Sequence, residues 1–234
     1  MESLWILSGT ALALAGIHTL LGPDHYLPFL ALSRANRWSP ARTLAITAAC
    51  GAGHVLSSVL LGTVGIGAGV VLSRLQRIES LRGALASYLL IGFGLAYAVW
   101  GLRQARRARL HSHAHGHTDG TVHDHPHAHA LPHRHLHVSS GRLGPWLMII
   151  FGLGPCEPLI PLLMFPAAVH GPKGILVVSA VFGVTTVAAM LACVGAGLGG
   201  LDRLPGIRPA ERFGHAFAGV AIASCGIAVR AFSL

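Results

Sequence analysis

Charged residues are scarce in this chain. Asp, Glu, Lys and Arg make up 11% of its 234 positions, and only eight residues are acidic. Residues of the apolar set make up 53%, and the mean hydropathy is +0.61. Soluble domains of this length are rarely so apolar. The composition therefore argues against a soluble globular protein and favours a membrane protein.

Cysteine is rare as well, and its placement argues against a disulfide framework. The four cysteines form no C-x-x-C pair, and all lie in or near apolar segments. We therefore expect Cys50, Cys193 and Cys225 to pack as small apolar residues.

The sequence also lacks a nucleotide-binding motif. A transport activity would thus need an ion or proton gradient, or a separate subunit, as its source of energy.

Long uncharged runs make up most of the sequence. A transmembrane helix needs about 20 apolar residues, and we count six runs as spans, which predicts an all-α, polytopic membrane protein. A soluble core would need an implausibly large interior to bury them. Glu2 stands where a signal peptide has basic residues, so we expect the first run to remain in the mature protein. The runs are 4–23, 43–73, 83–102, 143–156, 174–201 and 213–229.

The cations divide unequally between the two sides of this predicted bundle. Loops after the first, third and fifth spans hold twelve arginines, whereas the opposite side holds five cations, among them Arg74, Arg77, Arg82 and Lys173. The positive-inside rule then places both termini outside and the long middle loop in the cytoplasm. We expect a multi-pass protein of the inner (plasma) membrane, with lipid rather than nucleic acid around it.

An internal repeat divides the chain. A shift of 132 positions places "LGPDHYLPFL" (21–30) on "LGPCEPLIPL" (153–162) without a gap, and Gly94 on Gly226. Each repeat would contain three spans, so the second would be inverted relative to the first. Inverted three-helix repeats are typical of transporters, whose sites lie at mid-membrane between broken helices. The predicted units are the first repeat (1–103), a middle loop (104–142) and the second repeat (143–234).

The Gly-Pro pairs of the two repeats predict helix breaks. Proline lacks a backbone donor and its ring clashes with the preceding turn. We therefore expect Gly22-Pro23 and Gly154-Pro155 each to end one half-helix and to begin another. The carbonyls just before each break would lose their helical partners and be free to face a cation.

Acidic residues follow both breaks. Asp24 and Glu157 directly follow the first and fourth runs, and we count them as the only acids of the apolar spans. A carboxylate at bilayer depth costs at least about 2.5 kcal/mol. Their equivalent placement favours a functional role. The alternative is a structural carboxylate satisfied by a neighbouring histidine or backbone amide.

Three histidines of the first repeat are the other candidate ligands. On a straight helix His18 and His25 would lie about 10 Å apart along the axis, too far for one ion. The break would have to shorten that distance, or the two residues would serve successive sites. His54 lies among small residues that allow close helix packing. Imidazole with carboxylate suits nickel, cobalt or zinc, and Cys156 would add a thiolate.

The middle loop is a low-complexity, histidine-rich tract, mostly in H-x-H spacing. Such tracts are flexible and bind transition metals. We expect this one to capture or buffer ions rather than to form the transport site; the alternative is a dispensable polar linker. Its eleven histidines are His111, His113, His115, His117, His123, His125, His127, His129, His133, His135 and His137.

With its six spans, histidine-rich loop, "HTLLGPDH" and "GHVLSSV", the chain resembles the nickel–cobalt transporter superfamily. The closest resemblance is to the NicO nickel/cobalt exporter branch and the related urease-accessory-type membrane proteins. It implies that His18, Asp24 and His25 form the first motif of that family and that His54 belongs to the second. The nickel permeases have four residues between the first histidine and the Asp-His pair, whereas five stand here. Permease coordination geometry and import direction are therefore not carried over.

These observations predict a transporter of divalent transition-metal ions rather than an enzyme. Nickel or cobalt is the expected cargo, zinc is an alternative, and the cytoplasmic tract favours efflux slightly. Asp24, His25 and Glu157 would hold the ion, and His18 and His54 would pass it along. We expect no tightly bound cofactor. Further partners would be a second copy of the chain or an accessory subunit.

Three other functions stay open. A membrane thiol-disulfide electron carrier of the cytochrome-biogenesis type would use Cys156, but it needs a second cysteine where Asp24 stands. A sulfite or organic anion exporter would need cationic residues inside the spans. A metal sensor or chaperone without transport would keep the loop and tolerate loss of both buried acids.

Overall fold

The protein is almost entirely helical in a computed structural model that describes residues 2–107, 111–116, 122–127, 143–201 and 212–232. Within these residues the first half comprises four α-helices and one 3-10 turn, and the second half comprises three α-helices. They are α1 (Glu2–Leu21), the 3-10 turn (Pro23–His25), α2 (Leu27–Asn36), α3 (Pro40–Gly67), α4 (Leu72–Arg107), α5 (Leu143–Leu153), α6 (Leu159–Leu201) and α7 (Gly214–Phe232).

Five of these helices, α1, α3, α4, α6 and α7, are long and apolar enough to cross a membrane. Their outer faces are apolar: Trp5 is 78% exposed and Val184 is 71% exposed. Soluble monomers rarely expose so much apolar surface, which suggests a membrane protein. The prediction of six spans is matched only in part, because α5 has 11 residues. Gly154-Pro155 ends it early.

Both predicted Gly-Pro breaks are present. The first separates α1 from α2, and Pro23 opens the 3-10 turn, in which the His25 amide donates to the Gly22 carbonyl at 3.1 Å. The second separates α5 from α6. There the Gly154 amide still donates to the Ile150 and Phe151 carbonyls, and Pro155, which has no N–H, cannot continue the ladder.

A third break, which the sequence analysis missed, lies inside α6. Gly171 has φ 58° and ψ −147°, a conformation that favours glycine because a Cβ would clash there. Pro172 follows and begins a new helical segment. The helix therefore consists of residues 159–170 and 172–201, although the hydrophobic pattern runs through both.

Helix α4 is longer than its predicted span. It begins at Leu72 rather than near Gly83, so Arg74, Arg77 and Arg82 lie on a helix and not in a loop. Its 36 residues extend about 54 Å, well beyond the roughly 30 Å hydrocarbon core of a bilayer. Glu79, which lies outside the predicted spans, is only 1% exposed.

Helix packing brings the two halves together. Helix α3 packs against α5 and α6, α1 packs against α6, and α4 packs against α7. In the last pair, a Cβ added at Gly94 would meet the backbone of Gly219 and Ala223. The absence of side chains there lets the two helices approach closely.

Part of the histidine-rich loop forms a two-stranded antiparallel ribbon, where the sequence predicted a flexible tract. Its strands are β1 (His111–Gly116) and β2 (Val122–His127), and the register places His113 opposite His125. The remaining five loop histidines lie outside the described residues: His117, His129, His133, His135 and His137.

Candidate metal centre

The first break brings His18 and His25 together. His18 lies in the last turn of α1, and His25 ends the 3-10 turn that follows Gly22-Pro23. The two ring centroids are 4.9 Å apart, with one ring edge directed at the other. On an unbroken helix the two residues would be about 10 Å apart. The break therefore removes the geometric objection to a shared site.

Helix α3 supplies the third imidazole. The ring centroid of His54 lies 5.2 Å from that of His25 and 6.4 Å from that of His18. His25 and His54 are each 3% exposed. The structure thus brings all three predicted histidines of the first half into one cluster, in which His18 is partly buried and His25 and His54 are buried. We call it the histidine cluster (His18, His25 and His54).

Backbone carbonyls at the two breaks orient two of these rings. Nδ1 of His25 lies 3.2 Å from the Gly22 carbonyl oxygen, and Nδ1 of His54 lies 3.2 Å from the Phe151 carbonyl oxygen. Because a carbonyl only accepts, each Nδ1 must donate its proton. Neutral imidazole then keeps its lone pair on Nε2. This is how metal-binding histidines are commonly held, with one nitrogen bonded to the protein and the other left for the ion.

The Nε2 atoms of all three rings are buried, and no described residue hydrogen-bonds to any of them. One buried polar atom without a partner costs about 1–3 kcal/mol. Each of these three atoms on neighbouring rings is a candidate donor to a transition-metal ion.

The glycine of each Gly-Pro pair makes room for an imidazole. A Cβ at Gly22 would lie 2.5 Å from Nδ1 of His25, and a Cβ at Gly154 would lie 3.0 Å from Nδ1 of His54. Both distances are too short for a side chain to be accommodated without movement. The two glycines are therefore part of the site as well as of the breaks.

Asp24 adds a carboxylate at the edge of the histidine cluster. Its Oδ1 lies 3.2 Å from Nδ1 of His25, and its side chain is 26% exposed. Asp24, His25 and His54 line a small cavity of about 30 Å³ together with residues of α4, α5 and α7. That volume accommodates roughly two water molecules.

Cys156 approaches the cluster from the second half of the chain. It is fully buried and lies in the turn between α5 and α6, where the Leu159 amide donates to its carbonyl at 2.9 Å. Its sulfur, one ring nitrogen of His18 and one of His54 all lie within 4.8 Å of one another. Among the described residues, these three form the only group of His, Cys, Asp and Glu side chains arranged in this way.

Glu157 is not brought to the cluster. Its side chain is exposed, although its sequence position is equivalent to that of Asp24. The neighbouring Cys156 is buried instead. The sequence analysis therefore paired Asp24 with an acid that lies elsewhere.

The sequence analysis did not predict that the buried Glu79 and the half-buried Arg82 belong to the interior. Arg82 donates to Oε1 of Glu79 at 2.7 Å, to Oγ of Ser57 at 2.7 Å and to the Gly152 carbonyl at 3.0 Å. A carbonyl at the second break does face a cation, as expected, but the cation belongs to the protein. The i,i+3 spacing of an acid and an arginine beside an apolar run was the available signal.

This ion pair bears on the anion-exporter alternative. That function needs a cation inside the helices, and Arg82 is one, half-buried in α4. Its charge is balanced by Glu79, however, and it also donates to the hydroxyls of Ser57 and Ser58 and to the carbonyls of Gly152 and Gly154. The arrangement is that of a structural link between α4, α3 and α5.

No protein-family model, curated protein or solved structure matches this chain. The site itself therefore provides the grounds for a functional assignment.

Proposed function

We propose that this protein is an integral membrane transporter of divalent transition-metal ions. The observation that carries the proposal is the histidine cluster, in which three buried Nε2 atoms have no partner among the described residues and a carboxylate lies alongside. Imidazole and carboxylate together suit nickel, cobalt and zinc. Nickel and cobalt are the cargo that we put first, with a slight preference for efflux.

Two inverted repeats would supply the transport mechanism. Equivalent helix bounds support them: α1 ends at Leu21 and α5 at Leu153, and α2 begins at Leu27 while α6 begins at Leu159. Both pairs of bounds differ by 132, the offset of the sequence repeat.

Interhelical contacts support the repeats independently. Four close approaches between helices form two pairs. In each pair, adding 132 to one residue number of the first approach and subtracting 132 from its other residue number gives the two residues of the second approach. They are Gly94 with Gly219, Ser87 with Gly226, Gly51 with Val187, and Val55 with Gly183. Such exchange is expected of a pseudo-two-fold axis, which relates inverted repeats in the membrane plane.

In this proposal the two halves rock about the histidine cluster to give alternating access, and the histidine-rich loop buffers ions on the cytoplasmic side of the inner membrane. The ion passes between Asp24 and the imidazoles. Uphill movement draws on an ion or proton gradient or on a separate subunit.

Metal flux into proteoliposomes tests the proposal. Asp24→Asn keeps the shape of the side chain and removes its charge, so flux should be abolished while the protein still inserts and purifies as the wild type does. Glu157→Gln is the matched control, because Glu157 is exposed and outside the cluster; its flux should be retained. Unchanged flux in Asp24→Asn would remove Asp24 from the mechanism, and no flux in the wild type for nickel, cobalt, zinc or manganese would end the transport proposal.

A further inference from the structure

We infer that Cys156 is a metal ligand and that it makes the site selective for borderline-soft divalent ions such as zinc, cobalt, nickel and cadmium over manganese and magnesium. The site consists of one thiolate from the second half and the imidazoles of His18 and His54 from the first. This inference deepens the proposed transport function and rests on it for the nature of the cargo.

The spacing of the three donor atoms fits one ion after a small adjustment. They lie within 4.8 Å of one another. Ions bound tetrahedrally at about 2.0–2.1 Å from nitrogen and about 2.3 Å from sulfur keep their donor atoms roughly 3.3–3.8 Å apart. Side-chain movements of about 1 Å therefore complete the coordination without a change of helix positions.

The surroundings of Cys156 distinguish it from the other three cysteines. A buried cysteine usually packs as a small apolar residue, and Cys50 does so, with its sulfur 3.6 Å from the sulfur of Met148. Cys156 instead lies beside His54, which is 97% buried and whose Nε2 has no partner among the described residues. In the described part of the chain, Cys50, Cys193 and Cys225 join no group of side chains able to hold a metal.

The chemistry of the donor set decides the selectivity. Thiolate is a soft ligand and imidazole a borderline one, so together they favour zinc, cobalt, nickel and cadmium, whereas magnesium and manganese prefer oxygen. Three protein donors also leave a coordination position open. Closed structural sites have four, so the three-donor arrangement suits an ion that must enter and leave.

The site also joins the two halves of the molecule. His18 and His54 belong to α1 and α3, whereas Cys156 lies at the break before α6. An ion held by all three draws the start of α6 towards the first half. Binding and the relative position of the halves are therefore coupled through Cys156.

Cobalt spectroscopy on the purified full-length protein tests the inference. Cobalt bound to a thiolate gives a near-ultraviolet charge-transfer band, and the histidine-rich loop contains no cysteine to produce one. We expect the band in the wild type and its loss in Cys156→Ser, with cobalt bound to the site at least about 100-fold more weakly, since loss of an outer-shell partner alone costs 10–100-fold. Cys193→Ser and Cys225→Ser should keep the band.

A second variant guards against misfolding of Cys156→Ser. Replacing Cys50, Cys193 and Cys225 together by alanine leaves Cys156 as the sole thiol, and this protein should retain the full band. Absence of the band in the wild type, or its persistence in Cys156→Ser, would overturn the inference.

Flux measurements separate this inference from the transport proposal. If the band appears and no metal crosses the membrane, Cys156 is a ligand and the transport proposal is wrong. If metal crosses and neither the band nor the preference for zinc over manganese depends on Cys156, transport stands and the inference fails. A preference that Cys156→Ser reduces at least tenfold, while Cys193→Ser does not, supports both.

Discussion

His54 Nδ1 lies 3.2 Å from the carbonyl oxygen of Phe151. A histidine of the first half is thus oriented by the last turn before the break of the second half. The contact directs the free Nε2 of the ring into the interior, where the other two imidazoles lie. Neither half alone would hold this ring in place.

Metal should stabilise the folded protein through the histidine cluster. A ligand that binds only the folded state at about 100 times its Kd adds about 2.7 kcal/mol, so nickel should raise the Tm of the detergent-solubilised wild type. His54→Ala removes one donor and should lose most of that rise.

His215→Ala is the control, because His215 hydrogen-bonds to Tyr97 at 2.8 Å and is not part of the cluster. It should respond to nickel as the wild type does. An equal rise of the Tm in His54→Ala would show that the stabilising ion binds elsewhere.

Glu79 and Arg82 should behave as one unit. Removal of either leaves an uncompensated buried charge, which typically costs about 3–5 kcal/mol. We therefore expect Glu79→Gln and Arg82→Leu each to lower the Tm strongly, and the double variant to lower it by much less than the sum of the two.

Arg77→Leu is the reference for that cycle, since Arg77 is exposed on the same helix and its replacement should change the Tm little. Additive effects of Glu79→Gln and Arg82→Leu would mean that the pair is not coupled in the folded protein.

Gly94→Ala should destabilise the contact between α4 and α7. The new Cβ would meet the backbone of α7, and overpacking of this kind costs about 1–3 kcal/mol or more. At Gly92, on the same helix, a Cβ would have no described atom within 4 Å.

Gly92→Ala should therefore be neutral or stabilising, since alanine is favoured over glycine inside helices by about 1 kcal/mol. Thermal unfolding in one detergent compares the two variants. A Gly94→Ala protein as stable as Gly92→Ala would show that the two helices are not closely packed at this point.

Several features of the fold were predictable from local patterns. Hydropathy indicated apolar helices, and the two Gly-Pro pairs marked where helices end, because proline cannot donate to the ladder whatever surrounds it. The fourth predicted span (143–156) is matched only in part, since α5 has 11 residues. The start of α4 was also missed, because charged residues interrupt the apolar pattern of its first turns; of these, Glu79 and Arg82 form an ion pair in the structure.

The candidate site was predictable in its residues but not in its arrangement. Polar residues in apolar segments singled out His18, Asp24, His25 and His54, and the repeat singled out Glu157. The repeat relates backbone positions and does not decide which way a side chain points in a turn, so Glu157 is exposed while Cys156 is buried.

The sequence by itself determined the presence of apolar helices, two of their three breaks and the set of candidate metal ligands, because hydropathy and the chemistry of proline act over a few residues. Only the tertiary structure decided that three imidazoles meet, that a thiol from the second half joins two of them, and that Arg82 faces the Gly152 carbonyl. Those distances depend on how helices far apart in sequence pack, and packing is a property of the whole chain.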